Sequence, residues 1–157
     1  NVGTADLVGG APDCPDCTDD LFAGVVCGNP LFWCAPAHDH AHLVDFVRVE
    51  LLDGQGDVIA ATRKQGWRLV DSTCPPDLPP GTIAFDDDYQ GIHARCADVY
   101  QAFAGERRLG CQHIDLTDVP IPAGPYTLRL TLDPRGVLAE PHGNNVTLLA
   151  LPAEVFP

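Results

Sequence analysis

Lysine is almost absent from this 157-residue chain, which carries Lys64 alone, and methionine is missing altogether. Only 9 basic residues stand against 22 acidic ones, for a formal net charge of −13. A nucleic-acid partner is thereby excluded as an expectation, because phosphate binding needs basic patches. Long-range attraction favours cationic substrates instead, although the same charge also serves solubility in an extracellular or salty medium. No stretch approaches the 18 or more apolar residues of a membrane-spanning helix, so no membrane span is expected. No signal peptide is visible either, and with Asn1 in place of an initiator methionine the sequence reads as a mature or excised piece of a longer product.

Cysteine, proline and glycine are plentiful by contrast, at 7, 15 and 15 residues. Seven cysteines (14, 17, 27, 34, 74, 96 and 111) suggest disulfides and a secreted or extracellular setting, with one thiol left over. Cys14, Cys17, Cys27 and Cys34 are also open to a zinc-knuckle reading, but Cys27 and Cys34 are too far apart to repeat the Cys14-x-x-Cys17 pair. From Tyr126 to Leu132 apolar and polar residues alternate, as on a half-buried strand. Val44–Leu52 and Val146–Leu151 are apolar on both faces, as in mid-sandwich strands, and Gly54-Gln55-Gly56-Asp57 turns the first of them into Val58–Thr62. Cys96–Phe103 admits one or two helical turns. The expected architecture is an all-β sandwich with little helix and long disulfide-tethered loops, a single domain over 1–157 in which 8–37 is a Cys/Pro/Gly-rich loop insertion.

His38-Asp39-His40-Ala41-His42 is the most informative segment. Three imidazoles at every second position point one way only on an extended strand. Imidazole is the commonest protein ligand for copper and zinc. Same-face positions on a flat strand are roughly 6.6 Å apart, whereas metal–nitrogen bonds are about 2.0 Å. Gathering all three rings on one ion therefore calls for a bent, edge-like strand.

Around these histidines the chain resembles the catalytic domain of the lysyl oxidases. Asn1–Leu7, His38–His42 with Asp45, and Glu50-Leu51-Leu52-Asp53 match in order, followed by Gln90-Gly91-Ile92 and Cys96-Ala97-Asp98-Val99-Tyr100. Cys111–Val119, Pro122–Leu128 and Glu140 through Val146 complete the resemblance, which covers most of 1–7 and 38–147. It implies that strands preceding Asn1 are missing. It also implies a copper-dependent amine oxidase, with copper on His38, His40 and His42 and a lysine tyrosylquinone cofactor made from Lys64 and Tyr100. Substrates of that family are primary amines, lysine-containing proteins among them. The amine condenses with the quinone, a general base removes the α-proton, and hydrolysis releases the aldehyde. Dioxygen then restores the cofactor, with release of hydrogen peroxide and ammonia.

Several positions depart from the family pattern. Val49 stands where a further histidine has been proposed as the base, and His113, with Asp115 two residues on along an expected strand, is the candidate replacement. Ala37 stands in place of a family cysteine whose partner near Phe85 is also absent, and Arg68 replaces a cysteine that would close a small loop with Cys74. The resemblance carries over one bridge, Cys96–Cys111; Cys34 is a candidate to reach Cys74, and Cys14, Cys17 and Cys27 stay unassigned. Glu140–Asn145 holds half of a calcium site, with His142 in place of an acid. The alternative to an oxidase is a non-catalytic extracellular module that binds copper or zinc, or uses its metal only for adhesion or structure.

Overall fold

The computed structural model describes residues 4–14, 25–34, 40–62, 66–78, 84–99, 114–138 and 145–152. Among them are ten strands and no helix: β1 (Leu7–Gly10), β2 (Val25–Val26), β3 (Phe32–Cys34), β4 (Ala41–Val44), β5 (Val47–Leu52), β6 (Val58–Ala61), β7 (Gly66–Trp67), β8 (Gln90–Ile92), β9 (Tyr126–Leu132) and β10 (Val146–Leu151). The all-β expectation holds. The chain divides into two compact units, one of Asn1–Val44, Gly66–Tyr100 and Val137–Glu140, the other of Asp45–Gln65, Gln101–Gly136 and Pro141–Pro157.

The second unit is built on one antiparallel sheet in the order β10-β9-β5-β6. Its register follows from the period-two pattern: Val47, Val49 and Leu51 oppose Leu132, Leu130 and Leu128, so one face is aliphatic. On the other face Glu50 is buried between Arg129 at 2.7 Å and Arg48 at 3.0 Å. The hydrogen bond from Arg129 outweighs the opposing effect of burial and, with Arg48, holds the Glu50 carboxyl below its usual range. The expected turn closes β5 onto β6, with the Asp53 side chain accepting from the Gln55 and Asp57 N–H groups at 2.9 Å each.

Two strand expectations need correction. Val44–Leu52 is not one strand, because Asp45 takes a left-handed turn (φ 52°) that ends β4 and lets β5 begin at Val47; aspartate tolerates that conformation better than most residues. Val146–Leu151 is not a mid-sheet strand either. It pairs with β9 alone among the described residues, leaving Val146, Leu148 and Leu149 more than half exposed. Apolar composition on both faces misled here, because a continuous apolar run does not say which neighbours cover it.

In the first unit lie a four-stranded sheet, β2-β3-β4-β7, and the two-stranded β1-β8. The stretch 8–37, expected as loop, supplies β2, β3 and most of β1; strands of two to four residues are too short to display a period. Phe32 is fully buried, and its ring lies 2.9 Å from where a Cβ on Gly9 would stand, so β3 meets β1 side chain to backbone. Burial of such a ring stabilises by about 1.5–3 kcal/mol.

The described part of the expected helix, Cys96–Val99, is not helical. Ala97 forms a bridge with Thr73, while the Asp98 carboxylate accepts from Val70 N at 3.2 Å and from the Ser72 hydroxyl. Long-range polar contacts override the local spacing. They bring Cys74 beside Cys96, and the two form a disulfide; a second bridge among the described residues joins Cys14 to Cys27. Cys96 is therefore not bound to Cys111, and Cys74 is not bound to Cys34, which is in a disulfide of its own. Oxidation of Cys14 and Cys27 to a disulfide removes two thiolates from the zinc-knuckle reading.

Candidate metal centre

His42 is the second residue of β4 and is buried, and His40 immediately precedes the strand, half-buried. Their Nε2 atoms lie 3.0 Å apart, with ring centroids at 4.9 Å. That is far less than a flat strand gives to positions i and i+2. Two imidazole nitrogens this close either share a proton or face one ion, and the spacing is one that two ligands with bonds of about 2.0–2.1 Å adopt. The two side chains thus fit a common metal. His38, the third candidate, lies outside the described residues.

Local packing fixes where His42 sits. In the ladder, Trp33 on β3 opposes it, and β7 flanks β4 on the other side through Leu43–Trp67 and Val44–Gly66. Gly66 is needed there: an added Cβ would lie 2.8 Å from His42 Cβ and 2.5 Å from Trp33 Nε1. That indole N–H is buried and finds no hydrogen-bond partner among the described residues. A buried donor without an acceptor is costly, by about 1–3 kcal/mol, and is rare enough to mark a place where something polar belongs. Asp45, grouped with the histidines in the sequence motif, turns its carboxylate to Arg135 at 3.1 Å.

The family model for lysyl oxidase matches residues 28–151, which takes in all of these positions. The chain belongs to the lysyl oxidase family. A comparison with curated protein sequences gives no match. Family membership implies a copper amine oxidase kind of activity, and lysyl oxidases typically use copper with a quinone made from their own side chains.

The remaining lysyl oxidase positions divide into those the structure describes and those it does not. Lys64, Tyr100, His113 and Cys111 lie outside the described residues, as do Cys17 and Glu140–Asn144 of the half calcium site. Asp115 is described, but not on a strand: it is exposed, and its carboxylate accepts from Thr117 N at 2.9 Å, forming a turn. The expected strand placement beside His113 is therefore corrected. Val49 lies in β5 opposite Leu130, an aliphatic contact with no proton acceptor. Arg68, in the place of a family cysteine, grips Asp87 through two nitrogens at 2.5 and 2.8 Å.

One constellation was not anticipated from the sequence. Asp71, whose side chain is 3% exposed, accepts from His93 Nδ1 at 2.5 Å, from His93 N at 3.1 Å and from Phe85 N at 3.1 Å. Burial pushes the Asp71 carboxyl up, but these hydrogen bonds prevail and hold it below the usual carboxylate range. The His93 ring also packs against Phe85 at a tilt of 41°, with centroids 4.4 Å apart, and its Nε2 faces Asp6 at 4.0 Å. A lone histidine twenty-two residues from its aspartate leaves no spacing signal to read. Its work is to tie 70–74 to 85–98, the segment that leads toward Tyr100.

Proposed function

We propose that this chain is a copper-dependent amine oxidase that converts primary amines, peptidyl lysine among them, to aldehydes. In the overall reaction the amine, dioxygen and water are consumed, and aldehyde, ammonia and hydrogen peroxide are released. The observation that carries the reading is the 3.0 Å approach of His40 and His42 within a lysyl oxidase domain. His38, His40 and His42 would hold copper, and Lys64 and Tyr100 would form the lysine tyrosylquinone. Together these groups supply the redox chemistry that ordinary side chains lack.

The chain's own residues do the rest. Its net charge of −13 draws ammonium groups toward the surface. Burial of His42 on a strand held between β3 and β7 keeps one ligand out of bulk water and fixed in orientation. Val49 cannot accept a proton, so α-proton removal falls to another residue, for which His113 is the candidate. Disulfides such as Cys14–Cys27 and Cys74–Cys96 suit an oxidising, extracellular compartment.

The same Val49 favours a second reading, a lysyl oxidase domain that binds copper or zinc without turnover. Copper-loaded protein separates the two. Quinone redox staining, a mass change linking Lys64 to Tyr100 and peroxide release from a primary amine are expected, and Lys64→Ala or Tyr100→Phe should remove all three while leaving metal content intact. Wild-type oxidase activity in either variant would sink the quinone assignment.

A further inference from the structure

Gln90 is completely buried, and both ends of its side-chain amide are engaged: Nε2 donates to Ala41 O at 2.7 Å, and Oε1 accepts from Leu69 N at 3.0 Å. Ala41 is the residue between His40 and His42. The β4–β7 ladder pairs Val44 with Gly66 and Leu43 with Trp67, so its continuation would pair Ala41 with Leu69. At that place the backbone groups do not meet. The Leu69 N–H and the Ala41 carbonyl, which a regular antiparallel pair would join directly, are joined through the Gln90 amide. The Leu69 carbonyl is taken as well, by Gly91 N at 3.0 Å.

We propose that Gln90 is a positioning residue for the metal centre, a wedge that parts β4 from the chain after β7 and so bends the histidine strand until His40 and His42 converge. Backbone groups buried here must be paired. The inserted amide satisfies both strands while holding them further apart than the roughly 4.8 Å of a regular ladder. The opening begins two residues beyond the last pair, where the histidines need to leave the flat-strand geometry. This inference rests on the reading of His40 and His42 as metal ligands and does not depend on amine oxidation.

The test is Gln90→Ala, with Gln90→Asn as a second variant whose shorter amide reaches only one of the two partners. Without the wedge, Leu69 N and Ala41 O can bond directly, so the sheet is regularised while the histidines separate. Copper(II) affinity, measured by chelator competition, is expected to fall tenfold or more, and the copper electron paramagnetic resonance parameters are expected to shift. Leu51→Val, which loosens the other sheet, should move neither quantity. A folded Gln90→Ala or Gln90→Asn protein with wild-type copper affinity and an unchanged spectrum overturns the proposal. So does loss of the fold in both variants, which would make Gln90 a support of the core and no more. Wild-type protein that binds copper but makes no aldehyde sinks the oxidase reading alone, whereas wild-type protein that takes up no copper sinks both.

Discussion

The β10-β9-β5-β6 sheet and the 66–98 segment of the other unit are held by different means. In the sheet, β5 and β9 pair over six consecutive residues, and Leu51 is 1% exposed against Leu128. Among the described residues of 66–98 the backbone pairs only in fragments, and the joins are made by side chains: Gln90 to Ala41 and Leu69, Asp71 to His93 and Phe85, Asp98 to Val70 and Ser72, and Cys74 to Cys96. A regular ladder spreads its stability over many interchangeable contacts. A laced segment concentrates it in a few polar groups, each able to fix one backbone position, which is what a metal centre requires.

The sharpest way to break this contrast is to weaken each region by its own device. Leu51→Ala should cost about 2–5 kcal/mol by cavity formation and leave copper uptake unchanged. Cys74→Ser with Cys96→Ser opens a loop of sequence separation 22 and should cost about 3 kcal/mol in the chain-entropy account; it should also slow quinone formation, since Cys96 is four residues from Tyr100. Denaturant titrations read the first effect, and intact mass against time after copper addition reads the second. Equal effects of both changes on cofactor formation would erase the distinction.

Asp71→Asn comes next. The carboxylate is buried and takes three hydrogen bonds, one from the His93 ring, so its neutral replacement should cost about 1.5–3 kcal/mol. The same group sets a pH dependence. Its folded pKa is depressed, so its stabilisation is fully present above the ordinary carboxylate range and is lost as pH falls through the lowered folded value. Glu50 behaves alike for a different reason, held down first by Arg129. Thermal midpoints followed downward from pH 6 should therefore fall below about pH 4. Asp71→Asn and Glu50→Gln should each flatten that descent, and an unchanged acid limb in both would mean that other carboxylates set it.

The two regions also differ in how much of them could be read from residue order. Alternation along Tyr126–Leu132 and the Asp53–Asp57 turn announced the sheet, because period and turn chemistry are local. The histidine triplet suggested a metal site for the same reason, and the structure brings His40 and His42 of it together. Nothing local told that Gln90 would reach Ala41 across 49 residues, or that Asp98 would draw Cys96 toward Cys74 instead of Cys111. The family pattern marked Gln90-Gly91-Ile92 as a matching block without saying what the glutamine does. At β10 composition pointed the wrong way, since Leu148 and Leu149 are exposed on a strand paired along one side among the described residues.

The smallest expected effect tests whether every polar join in the laced segment counts. Arg68 and Asp87 make a two-point ion pair, but their side chains are 38% and 46% exposed, unlike those of Gln90 or Asp71. Water and salt screen such a pair, and holding two long side chains in one arrangement offsets part of its Coulomb gain. Arg68→Ala should therefore cost no more than about 1 kcal/mol. The difference from wild type should shrink further at high ionic strength, because screening removes what the substitution removes. Copper affinity should not change, since the pair is not joined to Ala41. If Arg68→Ala instead matches Asp71→Asn in cost and persists at high salt, this exposed pair is worth as much as a buried join. Burial would then not be what separates the joins that matter from those that do not.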